Sequence, residues 1–243
     1  MSICVDSPWL DLRRADCMDL MKEFDDNHFD LAIVDPPYGI NHSSFAGKTA
    51  GQKYGTAAAA KGNYEEKDWD RLAPEPRYFI ELMRVSREQV IWGANHFASS
   101  FASSSSGWIF WDKDTGATKF SDGELAFTSY QKGLRKFFYT WNGMIQGNMK
   151  GKKERRIHPT QKPVQLYKWL LTNYAKPGQR ILDTHMGSGS IAIACHYFGA
   201  HLTACEIDED YFRSACERIE RETRQLTFLG EGEMGITSEQ PVV

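Results

Sequence analysis

The stretch Asp35-Pro36-Pro37-Tyr38 constrains this chain more than any other. It follows the apolar run Leu31-Ala32-Ile33-Val34, which reads as a buried strand because nothing in it alternates. Two prolines then stop the strand, since each fixes φ and has no N–H to give to a ladder. Asp35 is thereby expected at the carboxyl end of a strand, on a stiff turn leading into an aromatic ring and Gly39. In open α/β sheets that edge is where ligands bind. The Asp35 carboxylate and the Pro36 carbonyl can accept the two N–H groups of an exocyclic amine, and the Tyr38 ring can stack on a planar base. Taken alone, the same residues also fit a plain strand-end turn with a capping Asp.

A second constraint lies near the other end. Residues 180–182 read as a strand that leads to Asp183 and Gly187-Ser188-Gly189. A helix over 191–198, closed by Gly199, a strand over 201–205 ending at Glu206, and a helix over 208–221 follow. A glycine pair between a strand and a helix lets the backbone approach a ligand and aims free N–H groups at it. Glu206 lies close to the spacing at which an acid reaches two ribose hydroxyls. This pattern suits a dinucleotide and S-adenosylmethionine alike.

Between these ends the chain alternates strand and helix signals. Asp16-Cys17 precedes an amphipathic stretch with Met18, Met21 and Phe24, where Asp16 can cap a helix. Residues 3–12 are ambiguous. Residues 41–68 are rich in Gly, Ala, Ser and Lys and read as a loop placed like a lid. Pro76 suits the first turn of a helix over 74–85, with Phe79, Leu82 and Met83 on one face. Strands are expected over 89–92, 108–111, 124–127 and 137–141, and a helix over 163–174 with Val164, Tyr167, Leu170, Leu171 and Tyr174 inward.

Bulk properties exclude several classes. The chain has 243 residues and 41% hydrophobic content, enough for one α/β domain with an inserted segment. No signal peptide or long apolar segment is evident, which points to the cytoplasm and away from a membrane. The five cysteines are scattered with no Cys-x-x-Cys, which argues against a disulfide framework or zinc site and for a reducing compartment. No histidine spacing suggests a metal. Net charge is −3, so any nucleic-acid contact must come from a local patch. Lys150, Lys152, Lys153, Arg155 and Arg156 form the strongest one, set around Gly151 and Glu154. Such a run can neutralise several phosphates or be merely solvated.

With these motifs in hand, the chain resembles the β-class S-adenosylmethionine-dependent DNA amino-methyltransferases, over about residues 10 to 222. Asp35 to Tyr38 matches the family's acceptor motif. His158-Pro159-Thr160-Gln161-Lys162-Pro163 matches the segment before the cofactor loop, Asp183 to Ser190 the loop, and Glu206-Ile207-Asp208 the ribose-binding acid. Where the family has Asp-Pro-Phe, this chain has Asp183-Thr184-His185.

The resemblance implies a Rossmann-like α/β fold with a mostly parallel, doubly wound sheet and a small inserted target-recognition segment. The acceptor half is expected over about 1–100, the insert over 101–158, the cofactor half over 159–225 and a disordered tail over 229–243. The implied activity is methyl transfer from S-adenosylmethionine to adenine N6 in a base flipped out of double-stranded DNA. Asp35, Pro36, Pro37 and Tyr38 are the expected catalytic residues. Asp16, Cys17, Asp35, Thr160, Lys162, Asp183, His185, Gly187, Ser188, Gly189, Glu206 and Ile207 are the expected cofactor contacts, and a homodimer is possible. Cytosine N4 is the nearest alternative, although cytosine enzymes more often carry Ser in place of Asp35. Methylation of RNA or a protein amide, a dehydrogenase and a non-enzymatic cofactor-binding regulator are the further ones.

Overall fold

The computed structural model describes residues 5–40, 72–100, 105–115, 121–142, 145–147 and 153–227. The Gly- and Ala-rich stretch 41–68, Lys150, Lys152 and the tail 229–243 lie outside the described residues.

Ten strands are described: β1 Leu10–Arg14, β2 Phe29–Val34, β3 Ser86–Trp92, β4 Trp108–Asp112, β5 Gly123–Thr128, β6 Arg135–Phe138, β7 Trp141–Asn142, β8 Ile145–Gln146, β9 Arg180–Asp183 and β10 His201–Glu206. The α-helices are α1 Cys17–Lys22, α2 Pro76–Val85, α3 Val164–Tyr174, α4 Ser190–Phe198 and α5 Glu209–Thr227. Eight strands form one sheet in the order β1-β10-β9-β2-β3-β5-β4-β6. From β1 to β3 every neighbour is parallel, as the α/β pattern predicts.

Alternation along β2 builds the two layers. Leu31 and Ile33 join the core that also holds Leu170, Ile193 and Ile219 of α3, α4 and α5. Ala32 and Val34 join the opposite core, with Leu20 of α1 and Phe79 and Leu82 of α2. A parallel strand buried on both faces has no polar side, which is why residues 31–34 show no alternation of polarity.

The structure departs from the sequence reading in places. The residues expected as an insert supply β4, β5 and β6, which extend the main sheet: β5 pairs antiparallel with β3, β4 with β5, and β6 parallel with β4. The strand expected over 137–141 is split, because the chain leaves the sheet after Phe138 and Trp141 pairs with Gln146 in a small hairpin. In α3 Leu166, at 0% exposure, joins the expected inward set, and Val164 is partly buried and packs against the same core. The last helix runs past residue 221 to Thr227 because no Gly or Pro interrupts it. Cys17, Cys195 and Cys205 are free, but Cys216 is disulfide-bonded, which departs at that position from the expectation of reduced cysteines. Folding can join cysteines that sequence spacing leaves unrelated.

One buried ion pair ties the basic run to the fold. Arg218 of α5, 2% exposed, donates to Glu154 Oε2 at 2.7 Å, to the Ser188 carbonyl at 2.7 Å and to Ser190 Oγ at 3.0 Å. Glu154 also accepts from the Val164 N–H at the start of α3. Removing one member of a buried pair leaves the other charge uncompensated. Arg218→Met should therefore lower stability by about 3 kcal/mol in chemical denaturation, and adding Glu154→Gln should recover part of that loss. A loss below about 0.5 kcal/mol would place the pair with surface ion pairs that contribute little.

Candidate active site

The carboxyl ends of β1, β10, β9 and β2 lie side by side, because these strands are parallel neighbours. After β2 the chain crosses to β3, and after β9 it crosses the other way to β10. The edge between β9 and β2 is thus a topological switch point, where a crevice opens. A cleft of about 220 Å³ sits there. Asp16, Glu206 and Asp35 line it, from the ends of β1, β10 and β2.

At the Asp35 end, charges are packed closely. Asp35 Oδ1 accepts from the Tyr38 hydroxyl at 2.8 Å, and Oδ2 accepts from Lys162 Nζ at 2.6 Å. Lys162 also reaches Glu124 Oε2 at 3.0 Å and the Tyr38 oxygen at 3.3 Å. Glu124 bonds Lys113 on its other side. Burial pushes the Asp35 carboxyl up, Lys162 partly offsets this, and the Glu124 charge adds to the rise. For Glu124 burial acts the same way, but two lysines overcome it and take the carboxyl down to about 2. The asymmetry has a plain cause, since Glu124 has two ammonium partners and Asp35 shares one. The Tyr38 ring stacks on His96 with centroids 4.9 Å apart. It lies on the backbone at Gly93, where a Cβ would meet the ring at 2.1 Å.

At the other end, Glu206 Oε2 accepts from the Gly187 N–H at 3.0 Å and Oε1 from the Asp208 N–H at 2.9 Å. Burial raises its carboxyl while these bonds oppose the rise. Gly187 and Ser188 line the cleft, together with Ile207, 66% exposed, and Tyr211. Asp16 caps α1, with Oδ1 accepting from the Met18 N–H at 2.7 Å, and still lines the cleft. His158 packs edge-on against Tyr211 at 4.3 Å. His185 takes an aromatic role: its ring meets Tyr78 edge-on at 5.4 Å, and burial pulls its pKa down to about 4, so it is neutral at pH 7. Thr184 Oγ1 bonds both Tyr78 Oη at 2.6 Å and His185 Nδ1 at 2.9 Å, which fixes that ring.

The cleft brings together Asp16, Cys17, Asp35, Pro37, Thr160, Lys162, His185, Gly187, Ser188, Glu206 and Ile207. It leaves out Pro36, which is buried behind the turn, and Tyr38, which adjoins through its hydroxyl. Asp183 lies beneath the cleft, with its Oδ1 accepting from the His185 N–H, and burial pushes it up to about 8. Gly189 packs on α5, where a Cβ would meet Ile219 at 2.6 Å. Of the basic run, Lys153 and Arg155 are exposed, whereas Arg156 lies over the Trp141 ring at 4.5 Å.

Sequence reasoning missed Glu124, Lys113 and Tyr211, and it took Tyr167 as core although this residue also lines the cleft. For Glu124 one signal was available: a charge at the head of the apolar run Leu125-Ala126-Phe127.

Several known proteins are similar to this chain in sequence or in fold. Over 87% of its length the chain is 22% identical to the type II methyltransferase M.HpaI of Haemophilus parainfluenzae, of which it covers 74%. Over 84% it is 19% identical to the type II methyltransferase M1.MboII of Moraxella bovis, covering 94% of that protein. Among solved structures, that of TTHA0409, a putative DNA modification methylase from Thermus thermophilus complexed with S-adenosyl-L-methionine, matches with a TM-score of 0.52 at 15% identity, covering 87% of this chain and 93% of that one. The PvuII DNA methyltransferase, described as cytosine-N4-specific, matches at 0.56 with 10% identity, covering 95% of each. These structural likenesses establish the fold. The family model N6_N4_Mtase, described as DNA methylase, matches residues 85–217, more than half of the sequence, and the chain belongs to that DNA methylase family.

Proposed function

We propose that this protein methylates the exocyclic N6 of adenine in a base flipped out of double-stranded DNA, with S-adenosylmethionine as the methyl donor. The observation that carries the reading is that Asp35 and Glu206 line one cleft from opposite sides. An amine acceptor and a ribose acceptor then serve the same reaction. A dehydrogenase or a cofactor-binding regulator has no use for Asp35 and Tyr38 at that place. The type II relatives favour a restriction-modification setting in a bacterial cytoplasm. Among the described residues no helix is long and apolar enough to cross a membrane.

The residues present fit the donor. Glu206 keeps lone pairs for two ribose hydroxyls beyond its two backbone bonds. Asp16 and Ile207 would hold the adenine, and Gly187 and Ser188 would offer backbone to the methionine part. When bound, S-adenosylmethionine supplies an electrophilic methyl group.

The chain's own part is positioning and charge. The exocyclic amine is a poor nucleophile because its lone pair is delocalised into the ring. An N–H donated to Asp35 favours a tetrahedral nitrogen with a usable lone pair, and the carboxylate stabilises the positive charge that grows there. Asp35 need not remove a proton before transfer; its carboxylate, raised by burial, takes the surplus N–H proton of the methylated amine afterwards. Lys162 holds one carboxylate oxygen, so the amine must compete with the Tyr38 hydroxyl for the other. To stack on the flipped base, the Tyr38 ring must turn from His96 and the Gly93 backbone, on which it now rests. Lys153 and Arg155 contact phosphates.

Cytosine N4 presents the same amine geometry. An acid at position 35 favours adenine, in line with the family pattern. Sequencing of modified bases in DNA from cells expressing the protein should find N6-methyladenine at one recurring sequence. N4-methylcytosine would transfer the reading to the alternative base, and unmodified DNA would sink it.

Asp35→Asn keeps the size and one acceptor oxygen but loses the charge. Its single-turnover rate on a duplex carrying the target site should fall by about 10²-fold. A rate within about threefold of wild type, under about 1 kcal/mol, would make Asp35 a turn residue only.

Glu206→Ala should weaken S-adenosylmethionine binding by about 2–3 kcal/mol, because charge-assisted bonds to the ribose are lost. Calorimetry giving unchanged affinity would remove Glu206 from the cofactor site.

A further inference from the structure

We propose that Glu124 is a positioning residue for the acceptor group: its bridge between Lys113 and Lys162 keeps the Lys162 ammonium seated on Asp35. The inference rests on the methyl-transfer reading and extends it to a residue of β5, far from every motif in the sequence.

The geometry carries it. Lys162 comes from the segment before α3, and its backbone is fixed by Ser190 Oγ, which donates to its carbonyl at 2.7 Å. The ammonium lies at the end of a long flexible stem, 5% exposed, 5.7 Å from the Tyr38 ring centroid and 5.6 Å from that of Trp92. A buried ammonium must be paired. Its partners are Asp35 at 2.6 Å and Glu124 at 3.0 Å, with the Tyr38 oxygen further off at 3.3 Å. Glu124 approaches from β5 and is anchored in turn by Lys113, just beyond β4. It also draws on the Tyr38 hydroxyl at 3.4 Å. The ammonium is thus held from a side that Asp35 cannot reach.

The consequence falls on Asp35. With Oδ2 fixed on Lys162, the carboxylate can turn only Oδ1 towards an incoming amine. The groups that face Asp35 are Lys162, Glu124, Tyr38, Tyr167 and Asp183. Within this set Glu124 acts in two opposed ways. Its charge repels that of Asp35 and raises its pKa directly. Its grip on Lys162 lowers the same pKa by keeping a cation in contact. The sign of the change on mutation tells which effect dominates.

Glu124→Asp keeps the charge but shortens the arm by one methylene, so the bridge opens while the repulsion stays. Glu124→Gln removes the charge and leaves one acceptor oxygen, so the bridge is weakened as well. Carboxyl ¹³C titration of Asp35 in the full-length protein, assigned by the signal missing in Asp35→Asn, reads the effect without DNA or cofactor. The Asp35 midpoint should rise by about one unit in Glu124→Asp, where the repulsion stays and only the bridge is lost. The single-turnover methylation rate should fall about tenfold in each while calorimetric S-adenosylmethionine affinity stays the same, as expected for a misplaced reacting group. An Asp35 midpoint that stays put or drops in Glu124→Asp would overturn the proposal, because Glu124 would then act on Asp35 only through its charge. Should Glu124→Gln fail to fold, Glu124→Asp alone decides. A wild-type protein that modifies no DNA, together with a raised midpoint in Glu124→Asp, would defeat the methylation reading and leave the seat of Lys162 established.

Discussion

The contact on which the candidate site depends is that of one ammonium, Lys162, with two carboxylates, Asp35 and Glu124. It joins three parts of the chain that no local sequence signal connects: the end of β2, the antiparallel strand β5 and the segment entering α3. Ion pairs of this kind contribute little net stability, because desolvation offsets attraction. Their value lies in specifying one arrangement, since any other leaves a buried charge without a partner. Hydrophobic packing on the two faces of the sheet holds the fold, and the charge cluster fixes how the acceptor corner is set within it.

Much of this was legible in the sequence, for physical reasons that differ by region. Leu31 to Val34 could be read as a doubly buried strand because continuous apolar runs of that length have few other uses. The turn after it followed from proline chemistry, and the glycine loop before α4 from backbone geometry. Glu206 could be placed because it ends a strand fixed by its neighbours, and Asp16 because it caps the amphipathic helix after it, while the strand before it gave no clear signal. All of these are local rules, acting over a few residues.

What escaped was non-local. Nothing near Glu124 announces that Lys162 will arrive beside it, since the two meet only after β5 has been laid against β3. Residues 101–158 looked like a separate insert because their aromatic density and loop signals gave no register. In the folded chain, Trp108 faces Phe127 and Trp111 faces Glu124 across an antiparallel pair, so the same aromatics become sheet core. The Thr184-His185 departure was likewise unreadable from spacing. Its compensation lies with Tyr78 on α2, about a hundred residues away in sequence.

Glu154 sits among neighbours of opposite sign, yet it points inward to Arg218 while Lys153 and Arg155 remain in solvent. By charge count alone, an acid within a cationic run only dilutes it. Here it works as a peg. Lys153 and Arg155, on either side of it, lose freedom when the protein folds. Ordering entropy that a loose cationic loop would give up at each encounter is thus spent once, within the native state. Lys153 and Arg155 are thereby presented to solvent as a preformed pair of charges rather than as a loose cationic loop.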